Sequence, residues 1–263
     1  MKVLSWNVNG IRAAARKGFR NWLDQCDGTF VGLQEVRALP EQIPKDLQDP
    51  EGWHKHIVAG ERKGYSGVGF YSRMEPDHVE TSMGVEEFDR EGRIHILTFG
   101  SLRIANVYFP NGNGKNRDNS RVPYKLAFYE RLYEMLHDDF KAGRPLLVIG
   151  DFNTAHQAID LARPKQNRET SGFLLVERQE FSRWTSSGWV DTFRHYHPDE
   201  PDHYTWWRQW GGARENNVGW RIDYILASPG AMPFVQDGFI LPEDMGSDHC
   251  PIGIEIDEAV LTA

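Results

Sequence analysis

Asp151, Asn153 and His156 crowd directly behind an apolar run in PLLVIGDFNTAH, Pro145 to His156. Asp151 and Asn153 stand two apart, so in an extended chain they project to the same side. Asn7 and Asn9 repeat that spacing in WNVNG, and Glu35 closes the apolar run FVGLQ. Tyr108 and Asn111 end another strand-like run in VYFPNG, and Asp248 and His249 precede CPIGIEI. Any one of these fits a turn or a helix cap, where Asn and Asp are common. The set does not, because random turn usage would not so regularly put a carboxylate, amide or imidazole beside an apolar strand. Hard oxygen and amide donors with a single nearby His favour Mg²⁺ or Mn²⁺ over Zn²⁺. With an imidazole and a phenol added, the set suits attack on a phosphate ester. The ion would neutralise non-bridging oxygens while a carboxylate takes a proton from water.

Such groups work only if strands deliver them to one place. Apolar segments of strand length that end in polar residues include KVLSW, FVGLQ, SGVGFYS, PLLVIG, WRIDYIL and CPIGIEI. LLVI is apolar on successive residues, which predicts a strand covered on both faces. RIHILTFGSLRIANVYF reads as two strands around the turn Gly100-Ser101, so part of the sheet structure is antiparallel. Helical spacing of Leu126, Tyr129, Leu132, Tyr133, Leu136 and Phe140 predicts a helix over Val122 to Phe140, with Pro123 in its first turn and Gly143 past its end. Further helices are predicted over Leu175 to Ser186 and through RKGFRNWLDQ. Strands outnumber helices, which fits two sheets sandwiched face to face with helices on the outer faces.

The chain has 263 residues, enough to bury a large core without disulfides, and residues 1–263 are expected to form a single domain. Its only cysteines, Cys26 and Cys250, form no CxxC pattern, as expected of reduced thiols in a cytoplasmic protein. The opening MKVLSWNVNG is already strand-like, so no leader peptide is expected. No apolar run approaches the roughly 20 residues that cross a bilayer, so no membrane partner is expected. Net charge is −8, which taken alone argues mildly against nucleic acid. A nucleic-acid enzyme needs only one basic face, however, and acidic residues at a metal site account for part of that charge.

SWNVNGIRA, LQEVR, VYFPNG, GDFNTAH, NVGWRIDYIL and GSDHCPI, in this order, resemble the exonuclease III family of abasic-site DNA endonucleases, within the endonuclease/exonuclease/phosphatase superfamily. The resemblance runs from Lys2 to about Ile256. It implies an α/β four-layer sandwich of two mixed, largely antiparallel sheets with outer helices. It implies hydrolysis of the phosphodiester 5′ to an abasic site in duplex DNA, leaving a 3′-hydroxyl, with 3′→5′ exonuclease and 3′-phosphatase or phosphodiesterase action. By the resemblance, Glu35 is the principal ligand of Mg²⁺, for which Mn²⁺ substitutes, with Asn7 and Asp248 flanking it. Asp151 activates the attacking water and Asn153 orients it. Within the family Asp151 acts as base or as ligand, one or two ions are used, and both questions stay open here. His249 holds the scissile phosphate, Asp223 charges its imidazole, Tyr108 reaches the same phosphate and Asn111 lies beside it. Relatives carry Asp where this chain has Asn9.

Trp206, Trp220 and Ile222 are implied to wall a pocket that admits a flipped deoxyribose without its base, with Trp207 turned to the core and Trp210 wedged into the duplex. Basic groups placed to follow the backbone are Arg12, Arg16, Lys17, Arg62, Lys63, Lys115, Arg117, Arg163, Lys165 and Arg168, together with Asn167. Nothing in the sequence demands a dimer, and a monomer is expected. Two other functions compete: a headgroup phosphoesterase of the superfamily, which would not need the tryptophan pocket, and a non-catalytic DNA-binding descendant, which would tend to lose ligands.

Overall fold

The computed structural model describes residues 1–116 and 118–263, so Arg117 lies outside the described residues. In chain order the strands are β1 (Lys2–Asn7), β2 (Phe30–Gln34), β3 (His54–Val58), β4 (Val68–Ser72), β5 (His78–Glu80), β6 (Ile94–Phe99) and β7 (Leu102–Tyr108). They continue as β8 (Leu146–Asp151), β9 (Val190–Asp191), β10 (Trp206–Trp207), β11 (Gly219–Trp220), β12 (Asp223–Ala227), β13 (Val235–Ile240) and β14 (Ile252–Ile256). The α-helices are α1 (Ile11–Arg16), α2 (Phe19–Gln25), α3 (Lys45–Gln48), α4 (Glu86–Asp89), α5 (Val122–Lys141), α6 (Leu175–Ser186) and α7 (Thr192–Tyr196). Among the described residues no helix is long and apolar enough to cross a membrane.

Two six-stranded sheets form, ordered β13-β14-β1-β2-β4-β3 and β5-β6-β7-β8-β12-β9. Each contains one parallel pair, β1 with β2 and β7 with β8, among antiparallel neighbours. The residues of β8 explain the layering. Leu147 and Ile149 enter a core between the sheets with Val3, Phe30, Phe70, Ile225 and Ile254. Leu146 and Val148 face the other way, onto Phe128, Tyr129, Leu132 and Trp184 of α5 and α6. A third core, with Leu4, Trp6 and Val31, lies beneath Ile11, Phe19 and Leu23 of α1 and α2. Four layers result: helices, sheet, sheet, helices. The Gly100-Ser101 hairpin is present, with Phe99 opposite Leu102.

The structure corrects three local expectations. The helix through RKGFRNWLDQ is two helices, broken at Lys17-Gly18, where Gly18 takes a left-handed φ of 97° that suits a residue without Cβ. WRIDYIL is not one strand: Trp220 ends β11, and β12 starts at Asp223. On α5 the buried face includes Lys125 and Phe128, while Leu126 is only half-buried.

Strand direction decides where the site lies. Asn7 ends β1 and Glu35 follows β2, its parallel neighbour; Tyr108 and Asp151 end β7 and β8 and are register partners. β12 runs antiparallel to β8, so its first residue, Asp223, pairs with Asp151. β14 runs antiparallel to β1, which returns the preceding Asp248 and His249 to the same rim.

Candidate active site

That rim opens into a cavity of about 740 Å³. Glu35, Tyr108, Asp151, Asn153, Asp248 and His249 line its chemical end. Asn111, Asn167, Trp206, Trp210, Trp220 and Ile222 line the remainder. Asn7 and Asp223 sit behind this lining, both buried. One surface therefore gathers the groups that the sequence analysis assigns to chemistry and to substrate.

Backbone geometry aims several of them. Asn9, Glu35, Arg37 and Asn153 have φ of 46°, 53°, 52° and 50°, a left-handed region that Asn tolerates but that costs Glu or Arg about 1–2 kcal/mol. Strain of this kind collects where function demands a particular direction of side chain. Chain contacts hold the turns in place: Gly10 N–H donates to Glu35 O at 2.7 Å, and Asn153 N–H donates to Asp151 Oδ1 at 2.8 Å.

The floor is an imidazole between two carboxylates. His249 Nδ1 lies 2.9 Å from Asp223 Oδ2, and Nε2 lies 4.0 Å from Asp151 Oδ2. Thr205 Oγ1 donates to Asp223 Oδ2 at 2.6 Å and fixes that carboxylate. Burial alone would lower the His249 pKa, but the charge of Asp223, then those of Asp151 and Asp248, push it up to about 10. His249 is therefore a buried cation at neutral pH. Burial, followed by the charge of Asp223, pushes Asp151 up to about 7. Asp151 Oδ2 accepts from Asn7 Nδ2 at 2.9 Å and from Asn153 Nδ2 at 3.3 Å, and Asn111 Nδ2 donates to Asn153 Oδ1 at 3.1 Å.

The second group lies beside the first along the same rim. Tyr108 hydroxyl donates to Glu35 Oε1, while Arg37 pairs with Oε2 at 2.6 Å. Burial, then the charge of Glu35, raises the Tyr108 pKa well above that of a free phenol, so it stays a donor. Asp248 accepts from Asn9 Nδ2 at 2.7 Å and from Trp206 Nε1 at 3.2 Å. Burial opposes ionisation there, yet the His249 charge and these two donors hold its pKa below the ordinary value.

Two ligand sets are conceivable. Asp151, Asp223 and His249 place ligand atoms within 4.8 Å of one another. His249 Nδ1 is already held by Asp223 at 2.9 Å and Asp223 Oδ2 by Thr205 at 2.6 Å, so this trio reads as a hydrogen-bonded floor. Glu35 and Asp248, with the amides of Asn7 and Asn153 and the carboxylate of Asp151 nearby, offer the hard oxygens that Mg²⁺ or Mn²⁺ takes. The residues present fit such an ion.

The apolar part of the cavity is lined by Trp206, Trp220 and Ile222, backed by the buried side chains of Ala155, Leu161 and Phe173. The two tryptophan rings meet edge to face with centroids 6.4 Å apart. Trp207 is buried, as its alternation with Trp206 predicts, and Trp210 is 61% exposed at the rim. Sequence reasoning misses Phe173 and Leu161, because isolated apolar residues in loops carry no periodic signal. It also misses Arg37, although LQEVR contains it. Of the basic residues assigned to the DNA backbone, Arg163 lines the cavity, whereas Arg12, Arg16, Lys17, Arg62, Lys63, Lys115, Lys165 and Arg168 are exposed without lining it. Arg221, close to the tryptophans in sequence, is instead buried in ion pairs with Asp160 and Asp191.

A two-sheet sandwich with an acidic, amide and imidazolium rim defines a class of phosphoester hydrolases. This chain belongs to the Endonuclease/Exonuclease/phosphatase family, which it matches over residues 4–249. It is 42% identical over 258 residues to an exodeoxyribonuclease of Bacillus subtilis, covering 97% of this chain and 99% of that one. Among solved structures, an AP endonuclease from Archaeoglobus fulgidus superposes with a TM-score of 0.87 at 28% identity, covering 98% and 99% of the two chains. The 3′ phosphatase NExo from Neisseria, bound to a product DNA hairpin, gives 0.88 at 29% identity over 98% and 99%. These relatives place the chain among the DNA repair nucleases of the family.

Proposed function

We propose that this enzyme hydrolyses the phosphodiester 5′ to an abasic site in duplex DNA, leaving a 3′-hydroxyl, and that the same site removes 3′-terminal nucleotides and 3′-phosphates. The observation that carries the reading is His249, backed by Asp223 at 2.9 Å, on the floor of a cavity whose adjoining wall is apolar and lined by Trp206, Trp220 and Ile222. The relatives are named as an exodeoxyribonuclease, an AP endonuclease and a 3′ phosphatase, activities that share one phosphoryl chemistry.

In this reading Asp151 takes a proton from water, and its raised pKa makes it a stronger acceptor than a free carboxylate. Asn153, held by Asn111 and Phe109 O, orients that water. The water oxygen attacks phosphorus, the P–O3′ bond breaks, and the 3′ oxygen leaves and takes up a proton. His249, kept charged by Asp223, faces the negative charge that builds on the phosphoryl oxygens, and Tyr108 donates to the same group. Glu35 and Asp248, with Asn7, Asp151 and Asn153 at the edge of the set, would hold Mg²⁺, which when bound neutralises phosphate charge. The pocket admits a sugar and excludes a sugar carrying a base. Extruding a baseless nucleotide also costs less, because no stacking or pairing is given up. We extend the proposal to a cytoplasmic monomer of one domain; its two cysteines are free, which suits a reducing compartment.

The test is a substrate panel with Mg²⁺ and then with chelator: a duplex bearing one abasic analogue, an undamaged duplex with a recessed 3′ end, a 3′-phosphate duplex and a uracil duplex. Incision at the analogue, with a 3′-hydroxyl product and loss of activity under chelation, is the expected result. Binding without cleavage in both conditions would overturn the reading in favour of a DNA-binding scaffold.

A further inference from the structure

The buried face of α5 carries a residue that hydrophobic packing does not call for. Lys125 is wholly buried, and so is the side chain of Glu177 in the first turn of α6. Lys125 Nζ donates to Glu177 Oε1 at 2.7 Å and to the carbonyl oxygen of Asn153 at 2.6 Å. The rest of the Glu177 carboxylate faces a single loop: Ser171 Oγ donates to Oε1 at 3.0 Å, while Gly172 N–H and Leu174 N–H donate to Oε2 at 2.6 and 3.1 Å.

The pair therefore joins two parts of the site. One is the Asp151–Asn153 turn, gripped through Asn153 O. The other is the loop that seats Phe173 behind the apolar wall and sets Gly172 against Trp220. Gly172 has φ of 95°, and a Cβ there would stand 3.1 Å from Asn153 O and 3.3 Å from the Trp220 ring, so pocket wall and catalytic turn touch at this point. Ala155 N–H completes the join by donating to Gly172 O at 2.7 Å. Apolar residues of similar volume would fill the core without desolvating two charges, but they could not tie these two loops to each other through their backbone groups.

We propose that Lys125 and Glu177 are positioning residues that lock the pocket wall to the catalytic turn and so set the preference for a baseless sugar over a base-bearing nucleotide. The proposal rests on the abasic-site reading above. Its test compares wild type, Glu177→Gln and the double variant Lys125→Met/Glu177→Leu on an abasic-analogue duplex and on an undamaged recessed 3′ end, with Mg²⁺. kcat and KM are measured separately, and thermal melting is followed in parallel. The double variant leaves no lone buried charge but unpairs Asn153 O and the Gly172 and Leu174 N–H groups. It is therefore expected to melt below wild type, and kinetics are read at a temperature where both are folded. Its ratio of kcat/KM on abasic to undamaged DNA should fall about tenfold or more, chiefly through KM for the abasic duplex, the equivalent of one lost charge-assisted hydrogen bond. Glu177→Gln, nearly isosteric, should shift the ratio the same way by less. If the double variant keeps the wild-type ratio and KM, or Glu177→Gln does so where the double variant fails to fold, the pair is only structural and the proposal is overturned. If wild type itself leaves the abasic duplex intact, the functional reading fails instead, and the two failures are told apart.

Discussion

Asp223 does not line the cavity, yet the charge on His249 depends on it more than on any other neighbour. Asp223→Asn keeps the shape of the side chain and removes the negative charge that holds the imidazole protonated. Steady-state kinetics on abasic duplex should then show kcat reduced about a hundredfold or more, while binding measured by anisotropy changes little, because the loss falls on charge that develops in the transition state. Equal weakening of binding and turnover would assign Asp223 a merely structural role. Glu35 makes the complementary case: it offers a carboxylate to a cation and is otherwise partnered by Tyr108 and Arg37. Glu35→Gln should raise the Mg²⁺ concentration for half-maximal activity about tenfold or more. A metal titration curve that overlays wild type would remove Glu35 from the ligand set.

At the scale of elements, α5 is a support for the turn that follows β8. Besides Lys125, Tyr129 on the next residue of its buried stripe donates its hydroxyl to Phe152 O at 2.7 Å. Tyr129→Phe keeps the ring contacts with Phe109 and Phe152 and leaves that carbonyl only its 3.2 Å bond from Thr154 Oγ1. A stability loss of about 1 kcal/mol in urea unfolding is expected; no change would mean that the turn stands without the helix. The sequence makes α5 legible through Tyr129, Leu132 and Leu136, but it does not disclose that Lys125 points inward. A basic residue beside an apolar stripe reads as solvated unless its partner is known, and Glu177 lies 52 positions away. The break in RKGFRNWLDQ at Gly18 is likewise a matter of backbone conformation that apolar spacing does not report.

For the whole molecule, two global properties follow from what the sandwich encloses and what it presents. His95 on β6 is buried opposite Asn106 of β7, and burial, with a smaller contribution from His56, holds its pKa down to about 3. The unfolded chain takes up that proton near the ordinary value of about 6.5, whereas the native chain does not until about 3. Stability is thus untouched by this group above about 6.5 and falls as pH drops through that window, by about 2 kcal/mol between pH 6.5 and 5. Urea melts at pH 7 and pH 5 should show a smaller acid loss for His95→Phe than for wild type. The net charge of −8 belongs to the whole surface, while Arg37, Arg163 and Arg208 line the cavity. Affinity for abasic duplex should accordingly fall with salt, log K declining by about 0.9 per unit of log salt for each phosphate neutralised. An affinity flat in salt would argue against a basic contact face.

The sequence by itself determined the chemistry on offer: acids, amides, an imidazole and a phenol, each tied to the end of a strand by local apolar patterning that reads directly from residue order. It determined the strands of both central parallel pairs for the same reason. Only the tertiary structure decided that those ends share one rim, because strand direction and sheet order are properties of pairing across the chain, as in Asp223 beside Asp151 and His249 behind Trp6. It alone decided which charges are free to meet DNA and which are buried partners. Arg221, Lys125 and Arg163 look alike in one dimension, and only burial against distant carboxylates tells them apart.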